Sequence, residues 1–489
     1  MSTILIVSAC NKSEEILPEV YLKDVVAPEI LINGDWEVST KLSDEFWKTP
    51  DTLNWSDVKV PGELMMQGIA IKSDEPFLYR KKARVPEDYA QKRIYLQFDG
   101  VYSYARLWVN GEYIRDHYGG FTRWKAEITD YVKPGEEALI LLEVTDRADN
   151  ISYASGYAKH QIGGVLRDVK LLARPENPLE QLVVETDLDS SFTDAVLKVS
   201  GKLLNEAKET KVQISLKSPE GKSIHLKEPL ISLNGKNLFE IENRISKLTK
   251  WDAEHPNLYK LRLSFIKDDE IIWSQSKDVG FREVQVEGNK LIVNGEPVKL
   301  RGANRHDVHP TLGRVSTPEY ELKDVLLAKE ANMNYIRTSH YPPTENFLEL
   351  CDKYGLYVED ETAVCFVIPG YRIEGYEIAA NSHNNPKYTN RYLSQIEEMV
   401  TANRNHPSVV IWSIGNESIY GSNFKKSYDW IQDNDSTRPI MFSYPGSVSD
   451  SLKKPYQILS MHYPPINGNL TQYEIQTKNF GYKKMLSYF

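Results

Sequence analysis

The feature that most narrows the possible folds is a change of pattern near Gly280. Before it the chain is written in short segments of strand period, separated by Gly, Pro and Asp turns; after it, strand-like apolar runs alternate with stretches of helical length. The second pattern marks βα units and a parallel sheet, the first antiparallel sandwiches. The expected barrel strands are Val298–Gly302, Asn334–Ser339, Leu356–Glu361, Val409–Ile414, Pro439–Ser443 and Ile458–His462. Helices are expected over Pro318–Glu330, Thr344–Tyr354, Tyr388–Asn405 and Phe424–Asp433, and Lys484–Phe489 reads as the start of a seventh strand. An eight-stranded (β/α)8 barrel typically takes about 250 residues, more than follow Gly280. The expectation is therefore an incomplete TIM barrel of about six strands plus a fragment.

The part before Gly280 divides in two. In residues 31–174, Arg93–Phe98 alternates toward Gly100, Ala105–Val109 runs into Asn110-Gly111, and Ala138–Val144 has the pattern of a core strand. An Asn-Gly pair between alternating segments is a strong hairpin signal, and the whole region reads as a β-sandwich. In residues 175–282, Lys211–Leu216 and Tyr259–Phe265 have the period of half-buried strands. Its length suits an immunoglobulin-like sandwich of about 100 residues. No catalytic constellation stands out there, so it reads as a spacer and packing surface. The chain is thus expected to be multidomain, with residues 1–30 a leader and linker and 283–489 the barrel.

Charge and cysteine content remove several function classes. The net charge of −10 comes from scattered charges of both signs, with no basic block, which argues against a nucleic-acid partner. No apolar run reaches the roughly 18 residues of a membrane-spanning helix. Of the three cysteines, Cys351 and Cys365 read as buried thiols in a helix and on a barrel strand, and no metal-ligand spacing is present. Cys10 is different. Met1–Cys10 is a short apolar run ending Val-Ser-Ala-Cys before a polar stretch, and it resembles a bacterial lipoprotein signal with Cys10 acylated. The run is short and lacks a preceding Lys or Arg, so an ordinary tail is the alternative. The expectation is export with a lipid anchor, in the periplasm or on the outer membrane.

The chemistry gathers at Val409–Ser418. A continuous apolar run, the pattern of a strand buried on both faces, breaks at once into Gly415-Asn416-Glu417-Ser418. In a parallel barrel the carboxyl ends of the strands are the rim where catalytic residues stand. A bare Asn-Glu pair at a strand end is as often a polar loop; the flanking motifs decide.

Those motifs occur along nearly the whole chain. In the first sandwich they are Phe98-Asp99-Gly100-Val101, Trp108-Val109-Asn110-Gly111, Gly119-Gly120-Phe121 and Gly163-Gly164-Val165-Leu166-Arg167-Asp168-Val169. In the barrel half they are Gly280-Phe281-Arg282, Asn294–Val298, Leu300–His306, Ile336–Pro342, Leu350–Glu361 and Ile411–Ser418. In this order they resemble glycoside hydrolase family 2, the β-galactosidase, β-glucuronidase and β-mannosidase superfamily. The resemblance implies a sugar-binding jelly roll, an immunoglobulin-like sandwich and a barrel with an exo-acting, retaining glycosidase site. It places Glu417 as acid/base and Asn416 as the hydrogen-bond partner of the sugar 2-hydroxyl. It makes Arg337, His340, His306 and Tyr463 candidate substrate ligands. Arg337 has a competing reading as a buried ion pair with Asp360 or Glu361, and Trp412 reads as core rather than sugar platform. The implied partner is a glycoside or oligosaccharide, β-galactosides placed first, with no cofactor; self-association is left open.

Three departures bear on function. The family nucleophile is a Glu at the end of strand seven, and this chain has none there; Glu474 is poorly placed for it. The expectation is a truncated chain, the rival being an inactive fragment that at most binds carbohydrate. Cys365 and Val367 occupy positions where well-known galactosidases have magnesium-binding Glu and His, so no such site is expected. Ala158 stands where familiar members carry an acidic residue.

Overall fold

The computed structural model describes residues 18–368, 378–443, 457–461 and 486–488. Cys10, Tyr463 and Glu474 lie outside the described residues.

The first sandwich packs two antiparallel sheets around a core that includes Trp36, Leu96, Phe98 and Val144. One sheet runs in the order 56–60, 34–39, 77–84, 137–145, 104–109, 112–118; the other in the order 124–127, 93–98, 169–174, 29–31. The Asn110-Gly111 hairpin forms as read, both residues having positive φ (52° and 88°), the pair of left-handed residues a tight hairpin turn of that twist requires.

The second sandwich holds a three-stranded sheet (179–188, 195–207, 236–245) against a larger one built on 259–267, 270–279 and 210–217. One member of the larger sheet was not foreseen. Val20–Leu22, assigned to the leader and linker, pairs antiparallel with Trp273–Gln275 and buries Leu22 in the core. Three residues carry too little periodicity to mark a strand, and only the free edge of 270–279 makes them one.

The barrel region opens with a small antiparallel ribbon, 284–287, 290–293 and 296–298. This corrects the expected first strand. Val298 pairs with Leu291 in that ribbon, joined through Asn294-Gly295 at positive φ (54° and 83°), and the first parallel strand is instead Gly302–Arg305. We number the parallel strands β1 (Gly302–Arg305), β2 (Tyr335–Thr338), β3 (Tyr357–Glu361), β4 (Val409–Ser413), β5 (Ile440–Phe442), β6 (Ile458–Met461) and β7 (Leu486–Tyr488). They hydrogen-bond in that order, and the expected fragment of a seventh strand is β7, paired through Leu459 and Leu486. The helices are α1 (Pro318–Glu330), α2 (Glu345–Tyr354), α3 (Thr389–Asn403) and α4 (Ser422–Asn434). Thr317 and Thr344 cap α1 and α2 by accepting hydrogen bonds from the Tyr320 and Phe347 amides, each satisfying a donor the helix leaves open. All five residues of β4 are buried, as a strand covered on both faces must be.

Candidate active site

The site begins where β4 ends. Gly415 has φ +146°, and a Cβ there would lie 3.0 Å from the Val364 carbonyl oxygen and 2.9 Å from Phe424, so only glycine lets the chain pass. Asn416 then lies beside Cys365 in a parallel bridge; its amide donates to Val364 O (2.9 Å) and its carbonyl accepts from the Phe366 amide (3.2 Å). Ser418 closes the turn by donating to Asn416 O (2.7 Å) and accepting from the Val367 amide (3.0 Å). Between them Glu417 is held at φ +35°, with its amide donating to Ser443 Oγ at the end of β5 (3.2 Å). A non-glycine residue in that region costs roughly 1–3 kcal/mol and persists only where neighbours fix it. Five hydrogen bonds do so here. The Glu417 side chain is half-buried at the carboxyl end of the sheet.

Asn416 is 1% exposed and its amide is oriented by charge. Its Oδ1 accepts from Arg337 Nη2 (2.9 Å) and Ser443 Oγ (3.3 Å), and its Nδ2 donates to Cys365 Sγ (3.4 Å). A guanidinium cannot accept, so the oxygen must face Arg337 and the NH2 must face away from it.

Arg337, also 1% exposed, takes the ion-pair arrangement that was the alternative to a substrate ligand. Its Nε and Nη2 donate to Glu361 Oε2 (3.0 and 2.6 Å), and Nε lies 3.2 Å from Glu359 Oε1. The expected partner Asp360 is excluded by strand geometry. Successive side chains on β3 point to opposite faces, so Glu359 and Glu361 turn toward Arg337 while Asp360 turns to Asn403 Nδ2 (2.7 Å). The hydrogen bonds of Arg337 thus go to protein groups, and through Glu361 and Asn416 it positions the site.

The buried acids are tuned in opposite directions. Burial pushes Glu361 up, but the Arg337 charge and hydrogen bonds from His340 and Ser413 bring it down to about 2. Burial raises Glu359 to about 8, partly offset by Arg337 and reinforced by Glu361, and its partner Tyr335 donates to it. Asp360 is raised by burial to about 7.

His340 and His306 form the near wall. His340 Nδ1 lies 2.7 Å from Glu361 Oε1, and the two imidazoles stand edge to face at 5.3 Å. Burial, with Arg314 and His340 nearby, lowers His306 to about 3, so it is neutral near pH 7; its Nδ1 meets Tyr341 Oη at 3.3 Å. Sequence reasoning missed Tyr157. A short helix of the first sandwich, Ala154–Ala158, delivers its ring to within 5.7 Å of His306, 6.1 Å of His340 and 6.0 Å of Phe366. The available signal was the aromatic stretch around Ala158, in a connection too long for a simple turn. Trp412 is core, its indole N–H donating to Asp435 (3.0 Å). Among the described residues no group of three or more His, Cys, Asp or Glu is arranged to hold a metal ion. Cavities of about 230 Å³ and 520 Å³ lie elsewhere, neither lined by Asn416 or Glu417, so the site rests on its chemistry rather than on cavity size.

Two sandwiches leading into a parallel barrel sheet, with an amide–carboxyl pair on its strand-four rim, define a multidomain barrel protein with a candidate site at the carboxyl end of its strands. The chain matches "Glycosyl hydrolases family 2, sugar binding domain" over residues 32–175, "Glycosyl hydrolases family 2" over 178–282 and "Glycosyl hydrolases family 2, TIM barrel domain" over 284–479. It belongs to glycosyl hydrolase family 2. Among similar proteins, a β-galactosidase of Vibrio vulnificus is 31% identical over 456 residues, 85% of this chain and 42% of its own length. One of Yersinia pestis is 33% identical over 368 residues, 72% of this chain and 34% of its own. The chain therefore spans less than half the length of these relatives. In fold it is similar to a Bacteroides uniformis β-glucuronidase (TM-score 0.78, 22% identity, 94% of this chain and 58% of that one). It is also similar to a Ruminococcus gnavus β-glucuronidase (TM-score 0.77, 20% identity, 94% and 82%).

Proposed function

We propose that the chain carries the acid/base side of a retaining β-glycosidase site, with β-galactosides as the first substrates to test. The observation that carries this reading is the strand-four rim, where Glu417 is held in a left-handed conformation beside an Asn416 amide locked by Arg337. In such a reaction one carboxyl group protonates the leaving oxygen while another attacks the anomeric carbon from about 5–5.5 Å away. Glu417 is the proton donor, and in the second step it takes a proton from water. Asn416 presents its NH2 to the sugar 2-hydroxyl, a contact that strengthens in the transition state. His340, His306 and Tyr157 form the sugar-facing wall, and Tyr463 is a further candidate ligand. Arg337 acts indirectly, by holding Asn416. None of the described residues is assigned the second carboxyl role. The preference for galactosides is supported by the names of the curated relatives. Export with a lipid anchor on Cys10 is a separate proposal. It is supported by the Val-Ser-Ala-Cys run and tested by fatty-acid labelling that Cys10→Ser should abolish.

The test is a panel of aryl β-galactoside, β-glucuronide and β-mannoside with the full chain and its Glu417→Gln variant. Galactoside hydrolysis slowed about 10²–10⁴-fold by the substitution is expected for loss of a general acid. Hydrolysis that the variant leaves unchanged removes Glu417 from the role. Calorimetric galactose binding without hydrolysis would instead favour the binding-only alternative.

A further inference from the structure

The amino-terminal ends of β4 and β5, opposite the candidate active site, face the second sandwich across a cavity of about 520 Å³. Arg282, Arg404 and Arg438 line it together, 6%, 7% and 6% exposed. Arg438 is fully engaged: Nη1 pairs with Asp435 Oδ2 (2.8 Å) and bonds Thr437, while Nη2 and Nε reach the carbonyls of Arg404, His406 and Val409. The other two are not. Arg282 donates to Pro407 O (3.1 Å) and to Val409 O (2.9 Å), the carbonyl that Arg438 Nε also uses, so the two guanidinium groups are adjacent. Arg404 donates only to Asn434 O. A guanidinium has five N–H donors. Arg282 therefore uses two and Arg404 one, and neither has a carboxylate within ion-pair distance among the described residues. Burial and the Arg438 charge lower the basicity of both Arg282 and Arg404, and the nearby Asp435 carboxylate, already paired with Arg438, offsets this only in part.

A buried charge without a partner is costly. Two carboxylates lie within Coulomb reach of Arg404 without pairing with it: Asp435 on the barrel side, which is paired with Arg438, and Glu185 on the sandwich side of the cavity. We propose that Arg282 and Arg404 form a binding site for a small tetrahedral oxyanion, phosphate or a phosphate monoester, which bridges the second sandwich to the bottom of the barrel. The unused N–H groups suit an oxyanion with several acceptor lone pairs, and forked guanidinium donors match phosphate geometry. The site is remote from Glu417, so its role is to fix the docking of the two domains.

The test is calorimetric titration of the full chain with inorganic phosphate, against chloride at matched ionic strength. One saturable site is expected, weakened about tenfold or more in Arg404→Gln, the loss of one charged hydrogen-bonding group. Glu185→Gln should tighten it by removing a nearby negative charge. A parallel titration with a sugar phosphate separates the sources: tighter binding of the ester assigns a phosphorylated metabolite, tighter binding of phosphate a free ion. Should Arg404→Gln not fold, Arg404→Lys keeps the charge but loses the fork, and weaker binding is again expected. No saturation in the wild type, or undiminished binding in a folded Arg404 variant, overturns the proposal. So does a wild type indifferent to phosphate whose melting point falls in Glu185→Gln, which would make Glu185 the counter-ion.

Discussion

At the scale of single residues, the candidate site is held by one buried cation. Arg337 joins Glu361 to Asn416, so its removal should act on stability and on the amide at once. Arg337→Met should cost about 3–5 kcal/mol, because it takes the guanidinium charge from the buried Glu361 and leaves it only its contacts to His340 and Ser413. Chemical unfolding measures this, and adding Glu361→Gln should recover part of the loss. Glu359 predicts a pH dependence. In the fold it keeps its proton up to about 8, from an ordinary value of 4.5. Between those values the unfolded chain has lost a proton that the fold retains, so stability falls as pH rises through the window and levels off above it. Glu361 has the opposite sign: ionised in the fold down to about 2, it contributes stability above 4.5 that is lost as the pH falls toward 2. Melting Glu359→Gln at pH 5 and pH 8 should therefore show a smaller decline than the wild type. An equal decline would mean that Glu359 is not the proton carrier.

At the scale of elements, local signals located the barrel units well. The expected helix Thr344–Tyr354 forms as α2 with Thr344 as its cap, and Pro318–Glu330 forms as α1 over the expected residues. What ends α2 is Gly355, at φ +76°, where a Cβ would meet Ala253 O of the second sandwich at 2.3 Å. Gly355→Ala should cost more than about 1 kcal/mol, from a conformation closed to alanine and a backbone clash. A thermal melt compared with an exposed Gly→Ala control such as Gly221 separates the clash from the φ term, since nothing lies within 4 Å of a Cβ at Gly221, which shares the positive φ (+79°). The element read least well was the first barrel strand. Val298–Gly302 has strand character, but Asn294-Gly295 had already committed Val298 to an antiparallel ribbon. A turn signal outranks a run of apolar residues when the two overlap.

At the scale of the whole molecule, the first sandwich and the barrel are joined by buried polar groups. Arg167, from the Leu166-Arg167-Asp168 segment, donates to Asp307 (2.9 Å) and to the carbonyls of Phe121, Pro342 and Pro343. Arg167→Met should uncouple the two units, so scanning calorimetry is expected to resolve separate transitions in the variant and a single merged one in the wild type. This docking also brings Tyr157 to His306 and His340, so the same variant should weaken sugar binding without touching the rim.

The sequence by itself determined the alternation of strands and helices, the hairpin turns, and the rim pair Asn416-Glu417, because each depends on period or on neighbours in the chain. Tertiary structure alone decided the partners. Arg337 meets Asn416 across 79 residues of sequence, Val20–Leu22 becomes a strand only beside Trp273–Gln275, and Tyr157 reaches the barrel only through domain docking. Glu359 and Glu361 differ little as sequence, yet they titrate oppositely, because burial and the distribution of one guanidinium's hydrogen bonds set their charge. Those quantities exist only once the chain has folded.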